Sequence, residues 1–355
     1  MERKTRFILI TLSLLAWLSG CAITSYQAIE PSYTQSLRPG SVLGQVSLDR
    51  SLEEKILALD PERVTDRDVR EVLSRAPAPR IVNVHGGIYP VHLAMTSFSK
   101  FLMGMGYPED RIRNPGDGSY SFSCYSSSGR IAGAIAWYYE REGMRPMMVG
   151  HSQGGIQAVK VLHELNGTFG EEVRVWNPLT KETEERASIL DPITGVQRPV
   201  VGVEVSYATA LGAGGFTRFL PNQWIMTGRL RTIPDTVEEF TGFVIGLDLL
   251  GGDLLGFGPV NTYLANGKAR VRTVRLPLGY NHVTVPVTAH LVESEEVKTW
   301  INEYVPSDEP ELDVKLEGNT SHILWAADVW YSVKKHWVLE LQRLIMAKRM
   351  MIHAR

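Results

Sequence analysis

The sequence predicts an α/β fold, in which a mostly parallel β-sheet is covered by helices on both faces. Short β-branched or apolar runs alternate with segments of helical periodicity between residues 80 and 305, and this alternation is typical of parallel sheets. The composition, 44% hydrophobic and 21% charged, is that of a globular chain. A total of 37 Lys and Arg against 39 Asp and Glu argues against a nucleic-acid-binding protein, because such proteins usually carry a basic excess.

The N-terminus has the pattern of a secretory signal. A basic stretch of six residues precedes the apolar run Phe7–Trp17, which is too short to cross a hydrocarbon core of about 30 Å. The following segment, Leu18–Cys21, resembles the lipobox of bacterial lipoproteins. This resemblance implies removal of residues 1–20, lipidation of Cys21 and anchoring in the bacterial cell envelope. Because Ala22 rather than Asp follows the cysteine, it further implies the periplasmic face of the outer membrane.

Three further segments are expected to lie outside the main domain, which is predicted to span residues 80–305. Residues 21–50 contain Gly, Pro, Ser and Gln without periodicity and predict a tether. Residues 51–79 carry charges at helical spacing and predict an N-terminal helical extension. Residues 306–355 predict a C-terminal helical extension with an apolar stripe. We expect this helix either to dock against the body or a second subunit, or to lie on a membrane surface.

Within the main domain the predicted elements alternate along the chain. They are the strands Arg80–His85, Pro146–Val149, Phe243–Leu247 and Arg270–Leu276 and the helices Leu93–Gly104, Ser128–Glu142 and Ile156–Leu165. Residues 174–199 contain charges and turn signals and predict an inserted hairpin or excursion. Residues 208–240 are rich in Gly, aromatic and apolar side chains. We interpret them as a cap region, while the alternative that they belong to the core stays open.

One serine occupies the position where a parallel sheet places its chemistry, at the carboxyl end of a strand. Residues 150–155 read Gly-His-Ser-Gln-Gly-Gly and connect a predicted strand to a predicted helix. A serine in such a sharp turn needs glycine neighbours, because side chains there would block the close backbone approach. The turn exposes the Ser152 hydroxyl near the positive end of the helix. A second glycine motif, His85-Gly86-Gly87, follows another predicted strand upstream.

These two motifs resemble those of the α/β-hydrolase superfamily, within its lipase and esterase branches, over roughly residues 80–305. The resemblance implies that Ser152 is a nucleophile in the turn known as the nucleophile elbow. It also implies that the backbone N–H groups of Gln153 and Gly87 stabilise a developing oxyanion. In relatives of this kind the segment corresponding to residues 208–240 covers the serine as a cap.

The superfamily orders its triad as serine, acid and histidine along the chain. His282 follows the last predicted strand and is the first candidate for the base, and His290, which precedes a predicted helix, is the second. Asp248 and Asp253 are the candidates for the acid, because an aspartate in so apolar a run needs a partner or a function. The sequence does not separate these two aspartates.

The resemblance implies a membrane-anchored serine hydrolase that cleaves carboxylic esters, lipid esters among them, through an acyl-enzyme. We expect a small-molecule or lipid ester as substrate, a membrane contact through lipidated Cys21, and no metal or organic cofactor. One alternative is an acyltransferase with the same triad. Another is a non-catalytic envelope lipoprotein that binds a ligand or partner. The sequence leaves the oligomeric state open.

Overall fold

The computed structural model describes residues 48–214, 221–251 and 262–353. The predicted signal peptide, the lipidation site Cys21, nearly all of the predicted tether and the candidate acid Asp253 lie outside the described residues. Expectations for those parts of the chain therefore stay predictions.

Six parallel strands form the central sheet. In chain order they are β1 (Ile81–His85), β2 (Phe122–Ser123), β3 (Met147–His151), β4 (Val205–Leu211), β5 (Val237–Ile245) and β6 (Arg270–Leu276). Their spatial order is β6-β5-β4-β3-β1-β2, with every neighbouring pair parallel. The predicted mostly parallel sheet is confirmed. The order reverses beside β1, since the chain moves outward to β2 before it returns to β3, and a crevice typically opens at such a reversal.

Helices cover both faces of the sheet. In chain order they are α1 (Arg50–Leu57), α2 (Asp66–Glu71), α3 (Tyr89–Gly104), α4 (Ser128–Glu142), α5 (Gln153–Leu165), α6 (Glu295–Glu303) and α7 (Ile323–His353). Buried side chains of α4 and α5 share one apolar cluster with the sheet. Those of the other five helices share a second cluster. The chain therefore has the predicted α/β class, with one core on each face.

The strand β3 shows how both cores are filled. All five of its residues are buried. Met147 and Val149 belong to one apolar cluster and Met148 to the other, as the alternation of side chains along a strand requires. A strand buried on both faces shows a continuous apolar run rather than an alternating pattern.

The register brings the carboxyl ends of the strands to one edge of the sheet. Val84 of β1 pairs with Gly150 of β3, and His151 pairs with Leu211 of β4. Further along, Phe243 of β5 pairs with Leu211. Segments that follow these strands therefore lie side by side, and they include Gly87, Ser152 and Asp248.

The two ends of the predicted cap region, residues 208–240, belong to the core, which is the alternative that the sequence left open. Its first residues belong to β4, which is buried throughout and pairs with both β3 and β5. Its last residues belong to β5. Between the two strands the described residues contain the 3-10 helix Pro221–Met226 and the short strand Thr232–Pro234. A fully buried strand is apolar without alternation, so its sequence resembles that of an apolar insertion.

Two small hairpins occupy the excursion predicted at residues 174–199. The first pairs Trp176–Asn177 with Glu182–Thr183, and the second pairs Ser188–Leu190 with Gln197–Pro199. Both are antiparallel and lie outside the central sheet. The expectation of an inserted hairpin is confirmed.

The C-terminal helix α7 is part of the core rather than a peripheral extension. Trp325, Trp330 and Trp337 are fully buried in it. The N-terminal helices pack against it, and the Lys334 ammonium donates to the carbonyl oxygen of Val64 at 2.8 Å. Docking against the body, one of the expected arrangements, is therefore what the structure has. Among the described residues no helix combines the length and the apolarity that crossing a membrane requires.

Candidate active site

Ser152 occupies a strained turn between β3 and α5. Its backbone has φ 59° and ψ −127°, a conformation that costs a non-glycine residue on the order of 1–3 kcal/mol. Its N–H donates to the carbonyl oxygen of Leu211 at 2.8 Å. A Cβ atom on Gly150 would lie 2.5 Å from the carbonyl oxygen of Gly154, and one on Gly154 would lie 2.1 Å from that of Val84. The two glycines that flank the serine are therefore required by backbone contacts.

A chain of two hydrogen bonds links Ser152 to an imidazole and a carboxylate. The Ser152 Oγ atom lies 2.8 Å from Nε2 of His282. The Nδ1 atom of the same ring lies 2.6 Å from Oδ2 of Asp248. Because a carboxylate only accepts, Nδ1 carries the hydrogen, and Nε2 offers a lone pair to the serine hydroxyl. The imidazole and the carboxylate are both buried, so water competes little for either bond.

The loop after β5 fixes the carboxylate. Leu247, directly before Asp248, has a positive φ of 59°, which turns the chain sharply at the end of the strand. The second carboxylate oxygen, Oδ1, accepts the backbone N–H of Gly251 at 2.8 Å. A Cβ atom on Gly251 would lie 2.1 Å from Oδ2 of Asp248, so only glycine fits there. Both oxygens of the carboxylate are thus held.

Of the two rival candidates, only His290 is among the residues that the structure describes. His290 is in the 3-10 helix Ala289–Val292, and its Nε2 atom is buried without a hydrogen-bond partner in the part of the chain that the structure describes. Asp253 lies outside the described residues. The structure brings together Ser152, His282 and Asp248, and these three come from the ends of β3, β6 and β5.

The glycine motif after β1 lies against the serine turn. A Cβ atom on Gly86 would lie 2.7 Å from Cβ of Ser152, and one on Gly87 would lie 2.8 Å from Oε1 of Gln153. Gln153 is the first residue of α5, where backbone N–H groups have no intrahelical acceptor. The two predicted oxyanion donors, the N–H groups of Gly87 and Gln153, therefore lie on adjoining segments.

His85 orients the peptide that contains one of these donors. Its Nδ1 atom lies 2.7 Å from the carbonyl oxygen of Gly86, so Nδ1 donates. In a planar trans peptide the N–H points opposite to the C=O, and the N–H of Gly87 therefore faces away from His85. Burial lowers the pKa of His85 to about 4, so the ring is neutral near pH 7.

Three neighbours of the site were missed or undervalued in the sequence. Gly212 has φ +57°, and a Cβ atom there would lie 3.0 Å from Nδ1 of His282. In the sequence, a glycine directly after the apolar run of β4 is the feature that could have identified this position. The Tyr125 hydroxyl donates to the carbonyl oxygen of Gly87 at 3.1 Å, and no sequence motif predicted this contact. His151, to which the sequence assigned no role, makes a hydrogen bond to the backbone of His282.

Exposed apolar side chains surround this edge of the sheet. Ten of the seventeen exposed large apolar residues among those described belong to segments that follow the carboxyl ends of the strands. They are Tyr89, Leu93, Tyr125, Trp224, Ile225, Leu247, Leu249, Leu250, Leu278 and Val287. Apolar exposure concentrated at one place usually marks a binding surface.

The described residues contain no group of three or more His, Cys, Asp or Glu side chains arranged to hold a metal ion. No protein-family model matches the chain, and the comparison with curated proteins found no match either. A functional interpretation therefore depends on the geometry of the residues themselves.

Proposed function

We propose that this protein is a serine hydrolase of the α/β-hydrolase type that cleaves carboxylic esters through an acyl-enzyme. The single observation that carries the proposal is the hydrogen-bonded chain from Ser152 through His282 to Asp248. A serine hydroxyl is a weak nucleophile by itself and needs an adjacent base that a third group orients. A strained serine turn that serves no chemistry would only lower stability.

The topology supports the same proposal. The serine follows β3, the aspartate follows β5 and the histidine follows β6, which is the chain order of triads in α/β-hydrolases. The serine also lies beside the reversal of strand order next to β1, where open parallel sheets bind their ligands.

In the proposed reaction Ser152 Oγ attacks the ester carbonyl carbon while its proton moves to Nε2 of His282. The N–H groups of Gln153 and Gly87 stabilise the oxyanion of the tetrahedral intermediate, and each such donor contributes about 3 kcal/mol. The imidazolium then gives its proton to the departing alcohol, which leaves the acyl group on the serine. Asp248 stays ionised and holds the ring. A water molecule repeats the sequence and releases the carboxylic acid.

The surroundings favour esters with an apolar acyl or alcohol group. Leu247, Leu249 and Leu250 flank the triad acid and are exposed, and an apolar substrate would cover such side chains. Lipidation at Cys21, as the lipobox resemblance implies, would hold the enzyme at an envelope membrane, where lipid esters are available.

The direct experiment measures the turnover of p-nitrophenyl acetate, butyrate and octanoate by the wild type and by Ser152→Ala. We expect turnover by the wild type, a higher kcat/KM for the longer acyl chains, and a loss of at least about 10⁴-fold in the variant. Wild-type activity in the variant would contradict the proposal. Folded wild type with no turnover of any ester would favour a non-catalytic binding protein.

A matched measurement separates hydrolysis from acyl transfer. The assay is repeated with added glycerol, and the products are identified by mass. We expect the free carboxylic acid to remain the main product, because the proposed second step uses water. Glycerol esters as the main product would identify an acyltransferase with the same triad.

A further inference from the structure

We propose that His151 is a positioning residue, whose buried imidazole holds the backbone of the base His282 through a hydrogen bond from Nε2 to the His282 carbonyl oxygen. This inference rests on the proposed hydrolase function. His151 does not touch the reacting atoms in this role and acts only through His282.

The geometry of the bond is specific. Nε2 of His151 lies 2.6 Å from the carbonyl oxygen of His282, a residue 131 positions further along the chain. His151 is fully buried and is the last residue of β3, directly before Ser152. One side chain therefore ties the strand that presents the nucleophile to the loop that presents the base.

The charge state of the ring suits this role. Burial lowers the pKa of His151 well below its usual range, so the ring stays neutral and has one N–H group. A carbonyl oxygen only accepts, so the hydrogen is on Nε2 and Nδ1 is bare. The centroids of the rings of His151 and His282 are 5.3 Å apart. A charged His151 would oppose the imidazolium that forms on His282 during the reaction, whereas a neutral ring does not.

Other hydrogen bonds also hold the loop after β6, and the Tyr280 hydroxyl ties it to α7 by accepting the backbone N–H of Leu324 at 3.2 Å. The carbonyl oxygen of Asn281 accepts the N–H groups of Thr284 and Val285, which closes a turn around the base. The carbonyl oxygen of His282 itself is bound by His151. Without that bond the peptide group that follows His282 has lost its partner, and its reorientation would shift Nε2 of His282 away from Ser152. A displacement of about 1 Å at a catalytic group can lower the rate about 10²-fold.

The test compares two substitutions of similar size. His151→Met removes the donor, whereas His151→Gln keeps an N–H group near the position of Nε2. We expect His151→Met to lower kcat for the best ester about 10- to 100-fold with KM changed less than about threefold, and His151→Gln to recover most of that loss. Met148→Leu, a volume-conserving change on the opposite face of β3, serves as the control and should leave kcat within about twofold.

The outcomes separate this inference from the proposed function. A folded His151→Met protein with wild-type kcat would contradict the positioning role and leave the triad untouched. Equal losses in the Gln and Met variants would also contradict it, because only the donor distinguishes them. Absence of any turnover in the wild type would instead overturn the proposed function.

A measurement on the wild type covers the case in which His151→Met does not fold. Long-range ¹H–¹⁵N NMR spectra distinguish the tautomers of each imidazole. We expect the Nε2–H tautomer for His151 and the Nδ1–H tautomer for His282 at pH 7. A protonated His151 ring, or a hydrogen on its Nδ1, would overturn the proposed hydrogen bond directly.

Discussion

The edge of the sheet around Ser152 and the helical layer around α7 are built in opposite ways. At the edge Ser152 and Leu247 have positive φ beside the hydrogen-bonded triad, and large apolar side chains are exposed to solvent. Near α7 a positive φ occurs at His322, directly before the helix begins. In α7 three tryptophans are fully buried. The indole N–H of Trp330 donates to Oδ1 of Asn302, and that of Trp337 donates to the carbonyl oxygen of Pro77.

The difference teaches where this chain exposes apolar surface and where it buries it. Strained backbone and exposed apolar surface both lower stability, so they persist only where the rest of the fold compensates for them. The layer around α7 supplies that compensation through burial. Substitutions at the edge should therefore change activity more than stability, and substitutions around α7 should do the reverse.

The largest expected effect at the edge distinguishes the two aspartates that the sequence left open. Asp248→Asn should lower kcat/KM for an ester about 10⁴-fold, because an amide cannot hold the imidazole in the required tautomer. Asp253→Asn is the matched variant and should retain activity within about threefold. Steady-state kinetics on the two purified proteins decide the question. The reverse pattern would show that Asp253 is the acid.

A buried and an exposed tryptophan test the comparison on the side of stability. Trp337→Ala should lower the free energy of unfolding by about 3–5 kcal/mol, because it empties a fully buried site. Trp224→Ala, at a residue that is 62% exposed beside the edge, should change it by less than about 0.5 kcal/mol. Urea unfolding measures both values. Similar losses in the two variants would refute the contrast between the regions.

A glycine at the edge and a glycine in α4 test whether the close packing is specific to the serine turn. Gly86→Ala places a methyl group 2.7 Å from Cβ of Ser152, and we expect it to reduce ester turnover about 10²- to 10³-fold. Gly129→Ala lies in α4, where a Cβ atom has no neighbour within 4 Å. It should keep full activity and change the free energy of unfolding by less than about 0.5 kcal/mol, because the residue lies in the first turn of the helix. Full activity in a folded Gly86→Ala protein would speak against the close packing at the serine.

The smallest effect is the contribution of His85 to the pH dependence of the free energy of unfolding. The pKa of His85 is about 4 in the folded state, below its usual value, so between pH 6.5 and 4 only the unfolded chain takes up this proton. The free energy of unfolding should fall as pH falls through this window, by up to about 3 kcal/mol for this group. His85→Gln should flatten that slope. Burial also lowers the pKa of His322 to about 4, so part of the pH dependence remains in the His85→Gln variant. A slope equal to that of the wild type would contradict the burial of His85.

Much of the fold was predictable, because periodic patterns depend on local sequence. The predicted helix Ser128–Glu142 and strand Arg270–Leu276 have the same bounds in the structure. The strand β4 was missed, since a run buried on both faces shows no alternation. The C-terminal helix was recognised as a helix. Its place in the core depends on contacts far apart in sequence, such as that between Trp337 and Pro77.

Sequence motifs predicted the main residues of the candidate site, but they predicted fewer of the contacts that these residues make. The glycines around Ser152 revealed the turn, since backbone crowding restricts the sequence there. The sequence ranked His282 before His290 because it follows the last predicted strand, and the structure brings His282 within hydrogen-bond distance of Ser152. The hydrogen bond from Tyr125 to Gly87 had no signal at all, since it joins segments that share no sequence pattern.

One measurement tests the central claim most directly. The wild type and Ser152→Ala are treated with a fluorophosphonate, which reacts only with an activated serine, and the intact masses and peptide fragments are then determined. The account predicts a single phosphonate adduct on Ser152 in the wild type and none in the variant. A well-folded wild type that stays unmodified, or an adduct on a different residue, would contradict the account.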